Sequence, residues 1–154
     1  MKKIFVTTGS SIGYEDLFEY ISKFRNNFEI IIQKGNSKFV NPEINSFEFT
    51  TEIEKYYEWA DIIIFTGGAA TVFEVLRLHG KVLIGVANPS LLDNHQKELL
   101  QELSKNGYLF FAKKLSDIEG IITNYDSSMS KIENYTYSNT ALLEYIYSYI
   151  HDVE

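Results

Sequence analysis

Apolar runs alternate with segments of helical periodicity along the whole chain. Residues 3–7 (KIFVT) read as a buried strand, and residues 14–24 as a helix with Leu17, Phe18, Ile21 and Phe24 on one face. Residues 28–33 (FEIIIQ) predict a second strand. Phe47 and Phe49 alternate with polar neighbours and predict a short third one, followed by a helix over 52–59. Further strands are predicted over 61–65, 82–86 and 108–111, with helices between them over 71–79 and 94–105; Asn106-Gly107 supplies the stop of the second helix. Leu115, Ile118 and Ile122 mark a short helix. A polar stretch over 124–134 then separates it from a Tyr-rich terminal helix over about 138–151. No repeat, Pro-rich linker or domain boundary interrupts the pattern, so residues 1–154 are expected to form one domain. Strand–helix alternation of this kind predicts an α/β fold: a Rossmann-like, doubly wound, mainly parallel sheet with its ligand chemistry at the carboxyl edge of the strands.

Within that frame, residues 62–75 (IIIFTGGAATVFEV) are the most informative. An apolar strand opens into a loop of small residues that starts a helix, predicted to begin at Thr71. Backbone N–H groups and the positive end of the helix converge there, and Gly67, Gly68 and Ala69 admit an anion closely while Thr71 adds a hydroxyl. A diphosphate cradle is one reading. Plain capping is the other, because Thr71-x-x-Glu74 also spells a capping box. Glu74, predicted one turn into the helix, is suited either to the helix dipole or to accepting hydrogen bonds from two ribose hydroxyls.

About twenty residues later, Asp93-Asn94-His95-Gln96 begins the next predicted helix. Asp93 as N-cap with Gln96 at the third position would explain two of these residues. His95 and Gln96 also offer the donors and acceptors that sugar hydroxyls need. Two consecutive strand-to-helix loops of a parallel sheet open on one edge, so both clusters are expected to face one cleft. The turn Thr7-Thr8-Gly9-Ser10-Ser11 after the first strand forms a further wall, and Gln33-x-Gly35-x-Ser37 has the same placement.

Composition changes the picture mainly by exclusion. Hydrophobic residues make up 45% and charged residues 23%, ordinary for a globular domain, and the aromatic share of 15% is high. A net charge of −7 argues against nucleic-acid binding, which rests on clustered Lys and Arg. There is no Cys for a disulfide or thiolate site, and the three histidines, His79, His95 and His151, lack ligand spacing, so no metal is expected. The opening MKKIFVTTG turns polar too early for a secretory signal, and no run approaches a spanning helix. Neither a GxGxxG loop, a Walker lysine, an Asp-x-Asp element nor a Gly-x-Ser-x-Gly elbow is present.

Taken together, these residues resemble the small nucleotide-sugar-binding subunits of two-component GT-B glycosyltransferases, similar to glycosyltransferase family 28 C-terminal domains. The match runs over residues 2 to 122. IFVTTGSS is similar to the family's opening strand and turn, and IIIQKGNSKF to its Gln-x-Gly-x-Ser segment. ADIIIFTGGAATVFEVL is similar to its Ala-Asp strand and Gly-rich loop. LLDNHQKELLQELSKNGYLF is similar to its Asp-His-Gln helix start, and its wording leans toward the eukaryotic UDP-GlcNAc transferase subunit. The chain departs from the family at Thr66, where His is usual, at Ala70, where Gly is usual, and at Thr8, which replaces an apolar residue.

The resemblance implies the C-terminal half of a GT-B fold and an inverting, metal-independent transferase subunit needing no cofactor. It would bind a UDP-sugar, above all UDP-GlcNAc, and act on a polyprenyl- or dolichyl-diphosphate-linked acceptor with a membrane-anchored partner subunit, which would hold it at the cytoplasmic face. Gly67, Gly68, Ala69 and Thr71 would hold the diphosphate and Glu74 the ribose. Asn94, His95 and Gln96 would contact the sugar or its phosphate, Gly9 and Ser10 would close the cleft, and His95 is the candidate base. Two alternatives stay open: an exopolysaccharide or capsule transferase subunit using UDP-galactose or UDP-glucuronate, and a non-catalytic nucleotide-sugar sensor.

Overall fold

Strands that are apolar at every position must be covered on both faces, and this dictates the architecture. Ile62–Phe65 and Val82–Val86 are buried at each residue, and Lys2–Thr7 is buried from Ile4 onward. The computed structural model describes residues 1–9, 12–66, 68–89 and 94–135, with Asn94 described in its backbone only. The described elements run β1 (Lys2–Thr7), α1 (Glu15–Ser22), β2 (Phe28–Gln33), β3 (Asn45–Phe47), α2 (Ile53–Trp59), β4 (Ile62–Phe65), α3 (Ala69–Leu76), β5 (Val82–Val86), α4 (Asn94–Lys105), β6 (Phe110–Ala112), α5 (Asp117–Thr123) and α6 (Tyr125–Lys131).

All six strands are parallel, in the order β3-β2-β1-β4-β5-β6. The chain therefore moves one way from β1 to β2 and the other way from β4 to β5. Right-handed crossovers then place the connecting helices on opposite faces. Leu17, Phe18 and Ile21 of α1 pack with Ile118 and Ile122 of α5 against Ile4, Val6, Ile62, Ile64, Val82 and Ile84. On the other face Tyr57 of α2, Val72 and Val75 of α3 and Leu99, Leu100 and Leu103 of α4 cover Phe5, Ile63, Phe65 and Leu83. Successive strand residues thus feed alternate cores, as the pleat requires. The expected doubly wound parallel sheet is the observed one.

The Ala-Asp that opens the central strand has a structural use. Asp61 accepts from the Lys3 backbone N–H through its carboxylate at 2.9 Å and donates its own N–H to Lys3 O at 2.9 Å, setting the β1–β4 register.

Several boundaries differ from the sequence expectation. The third strand stops at Phe47 and leaves Phe49 exposed, because pairing with β2 ends at Gln33↔Phe47. The last strand is Phe110–Ala112, displaced by pairing with β5, while Tyr108 and Leu109 are spent in the core. The polar stretch after residue 124 contains α6, despite three serines of low helix propensity. Tertiary contacts override that propensity: Ser128 is buried with its hydroxyl on Ile121 O at 2.8 Å, Met129 and Tyr125 pack on the core, and Lys2 Nζ lies 4.1 Å from the Tyr125 ring centre. The most consequential shift is at α3, which begins at Ala69 rather than Thr71 and ends at Leu76 rather than His79. The terminal helix expected over 138–151 lies outside the described residues.

Candidate functional site

With this strand order the topological switch point falls between β1 and β4, where the chain leaves in opposite directions and a crevice opens beyond the carboxyl ends. The two strands meet there directly, since Thr66 donates its N–H to Thr7 O at 3.0 Å. The turn after β1 is held by its own side chains. Thr7 Oγ1 accepts from Gly9 N–H at 3.2 Å and from Gln33 Nε2 at 2.9 Å, and Gln33 Nε2 also donates to Gly9 O at 2.7 Å. Gly9 has φ of +73°, in the left-handed region that glycine adopts at no steric cost. A Cβ there would also meet Thr71 Oγ1 at 3.0 Å. The first turn of α3 thus lies against the β1 turn.

Gly68 is the N-cap of α3 in extended conformation, and no side chain caps the helix. The capping-box alternative therefore has no bond in the structure. Because the helix starts two residues earlier than expected, Thr71 is its third residue and Glu74 its sixth, in the second turn and beyond reach of the first N–H groups. A Cβ at Gly68 would have no neighbour within 4 Å among the described residues, which leave the space at that position open. Ala70 and Glu74, four residues apart, are exposed on one helix face, with Glu74 about 6 Å further along the axis. Glu74 Oε2 accepts a hydrogen bond at 3.0 Å from the hydroxyl of Tyr57, itself fully buried.

The next loop along the same edge follows β5. Gln96, in the first turn of α4, is buried, and its Oε1 accepts from Asn88 N–H at 3.3 Å. Asn88 Nδ2 in turn reaches Gly13 O at 3.3 Å and Ile12 O at 3.5 Å. The β5–α4 and β1–α1 loops are thereby joined, and the clusters at 66–71 and 94–96 share one edge of the sheet, as anticipated. Gln96 sits inside the wall of that edge, whereas His95 beside it is exposed, with Nδ1 at 3.6 Å from Glu98 Oε2. Of the candidate site residues, Gly9, Gly68, Ala69 and Thr71 lie at the α3 end with Glu74 further along that helix, and Asn94, His95 and Gln96 open α4. Ser10 and Gly67, together with the N-cap candidate Asp93, lie outside the described residues.

Sequence reading missed Tyr57 and Asn88. The only signal for Asn88 is an Asn-Pro step after a strand, and an aromatic on a helix face gives none for Tyr57. It places Thr8 and Gln33 in the cleft wall and marks Thr66 as a departure from the family, without singling out their side-chain oxygens. Thr8 Oγ1, Gln33 Oε1 and Thr66 Oγ1, at the ends of β1, β2 and β4, are buried without a hydrogen-bond partner among the described residues. Such groups are costly in a settled interior and call for a partner such as water or a bound molecule. Among the described residues no cluster of three His, Asp or Glu side chains is placed to hold a metal ion, and no helix is long and apolar enough to cross a membrane. A cavity of about 320 Å³ on the same edge lies between Gly13, the start of α1, Asn36, Ser37 and Pro89. Glu15 and Asp16 line it with no cation, which suits it poorly to a diphosphate.

The turn at Gly13 clips these loops to β2, with its N–H on Asn36 Oδ1 at 2.9 Å. A Cβ there would lie 2.6 Å from Lys34 O and 2.5 Å from Ser37 Cβ. Gly13→Ala is therefore expected to destabilise the protein by about 1–3 kcal/mol, because the backbone must move. A urea unfolding midpoint equal to that of the parent would contradict this close approach.

Residues 3–150 match the glycosyltransferase family 28 C-terminal domain. The chain is 26% identical over 182 aligned residues to the UDP-N-acetylglucosamine transferase subunit ALG13 of Candida albicans, covering 83% of this chain and 61% of that protein. It is 31% identical to the UDP-N-acetylglucosamine–N-acetylmuramyl-(pentapeptide) pyrophosphoryl-undecaprenol N-acetylglucosamine transferase of Vesicomyosocius okutanii, over 80% of this chain and 39% of that one. It thus spans less than two-thirds of the length of either relative. The crystal structure of Acinetobacter baumannii MurG superposes with a TM-score of 0.67 at 22% identity, over 85% of this chain and 45% of that one, and so shares the fold. The open α3 end at the switch point of a fully parallel sheet and the match over residues 3–150 agree: the chain belongs to the glycosyltransferase family 28 C-terminal-domain family, with the architecture of one half of a GT-B enzyme.

Proposed function

We propose that this chain is the donor-binding subunit of an inverting glycosyltransferase that uses a UDP-sugar, UDP-GlcNAc first among them. One observation carries the reading: among the described residues the N-terminus of α3 has no side-chain cap and faces open space at Gly68, and it stands at the switch point against Gly9. Free N–H groups and the helix dipole at such a place suit a diphosphate. In this reading Gly68, Ala69 and Thr71 take the phosphates beneath the Gly9 turn, and Glu74, further along the same helix, accepts from the ribose hydroxyls. Asn94, His95 and Gln96 form the sugar end of the cleft, His95 from the surface and Gln96 by shaping the wall through Asn88.

The chemistry follows from that placement. An acceptor hydroxyl attacks the anomeric carbon from the face opposite the diphosphate, and the bond from that carbon to the phosphate oxygen breaks with its electrons passing to UDP. The dipole of α3 and its N–H groups stabilise the departing charge. The hydroxyl proton passes to a base, for which His95 is this chain's candidate. Because a GT-B site is completed by a second domain, the acceptor, a lipid-diphosphate-linked saccharide, would be presented by a membrane-anchored partner subunit. That partner would also hold this chain at the cytoplasmic face. The names borne by the relatives, a transferase subunit and an undecaprenol-linked transferase, support both assignments.

Titration calorimetry with UDP, UDP-GlcNAc, UDP-galactose and UDP-glucuronate tests the reading. Binding strongest to UDP-GlcNAc supports it, preference for another donor moves it to a polysaccharide-type subunit, and binding to none ends it. A non-catalytic sensor is the second reading, favoured by Thr66 in place of the family's usual histidine. Donor binding without turnover, when partner and lipid acceptor are supplied, would establish the sensor instead.

A further inference from the structure

We infer that Tyr57 is a positioning residue that presents the Glu74 carboxylate to the ribose of the bound nucleotide, an inference that rests on the UDP-binding reading above. Tyr57 comes from α2, outside the loops that build the cleft, and is 0% exposed. Its ring packs edge-on against Phe5, with centroids 5.8 Å apart at 76°. Anchored in that way, the ring carries its hydroxyl to a single place, 3.0 Å from Glu74 Oε2. Burial and the neighbouring carboxylate both push the phenol well above its ordinary pKa, so the group remains an O–H donor throughout the physiological range.

Glu74 has little else to hold it. It is exposed, does not cap its helix, and among the described residues makes no ion pair and no second hydrogen bond. An exposed glutamate samples many rotamers, and ordering it opposes binding. The Tyr57 hydroxyl occupies one lone pair of Oε2 and leaves Oε1 and the remaining Oε2 lone pair for two adjacent hydroxyls. A buried tyrosine must place its hydroxyl somewhere, and a solvent-facing contact would serve. Here that requirement is met by a carboxylate on the exposed helix face that runs from the open end of α3.

The test is calorimetry with UDP and with 2′,3′-dideoxy-UDP on the parent chain, Tyr57→Phe, Glu74→Ala and the double variant, with melting temperatures recorded for each. Tyr57→Phe keeps the ring and its packing. It is expected to weaken UDP roughly fivefold to tenfold, to leave dideoxy-UDP unchanged, and to add nothing once Glu74 is Ala. Equal loss of both ligands would mark a merely structural tyrosine and overturn the inference. So would unchanged UDP affinity in Tyr57→Phe beside a clear loss in Glu74→Ala, a result that leaves the UDP-binding reading standing. UDP affinity unaffected by Glu74→Ala, or absent in the parent, removes the ribose assignment itself and the inference with it.

Discussion

Gly68→Asp is expected to weaken UDP binding by about five- to several-hundredfold while leaving the fold intact. The position has φ −81° and ψ −171°, which any residue adopts, and among the described residues a side chain there meets no atom within 4 Å of its Cβ. Aspartate is moreover a preferred N-cap, so folding stability should change by less than about 1 kcal/mol and in the favourable direction. The same carboxylate would occupy the N–H groups that a diphosphate needs and oppose its charge. At about 4 Å that repulsion is roughly 1 to 4 kcal/mol between water-like and surface-like screening, or about five- to several-hundredfold in affinity. Calorimetry beside a melting curve decides the matter. A variant that melts normally and binds UDP as tightly as the parent would show that the nucleotide does not use this helix end. Gly68→Ala provides the neutral control, because it adds volume to open space without charge.

Glu74→Ala is expected to weaken UDP about ten- to a hundredfold, the range for losing hydrogen bonds to a charged acceptor. The Tyr57 hydroxyl also loses its partner, so a stability loss of about 1 kcal/mol should accompany the change. The two effects separate with Glu74→Gln, which keeps an acceptor oxygen for the tyrosine and one ribose hydroxyl but loses the charge. Intermediate affinity is expected there. The cap that would have given Glu74 a purely structural use is missing, since α3 begins at Ala69 and places the residue in its second turn. Unchanged UDP affinity in Glu74→Ala would leave only its bond to Tyr57 as a use for that carboxylate.

These two residues also show where the cleft was legible. Gly68 and Glu74 were picked from the run IIIFTGGAATVFEV because a strand, small residues and a helix in succession make an anion site on simple stereochemical grounds. The structure starts that helix two residues earlier than the sequence expectation, at Ala69. Nothing local distinguishes Ala69 from Thr71 as a helix start when Thr71-x-x-Glu74 offers an attractive box. Docking of Val72, Val75 and Leu76 against Phe65 and Leu83 set the boundary. Gln96 offers donors and acceptors for a sugar, and the fold uses its one side-chain oxygen to accept the Asn88 backbone N–H. Its substitution by Ala should therefore disturb the joint between two loops as well as any sugar contact.

Local chemistry alone determined the strand–helix alternation, the parallel sheet covered on both faces, and the edge on which ligand chemistry belongs, since each follows from apolar periodicity and chain connectivity. The family came instead from the resemblance of four stretches of the sequence, and the match over residues 3–150 bears it out. What only the tertiary structure decided are contacts between positions distant along the chain. Tyr57 meets Glu74 seventeen residues away, Asn88 meets Gly13 across seventy-five, and α6 forms from a serine-rich stretch because the core accepts it. Periodicity reports which face of an element is buried. It carries no information on which buried hydroxyl will face which carboxylate, because that depends on how two helices are set side by side on the sheet.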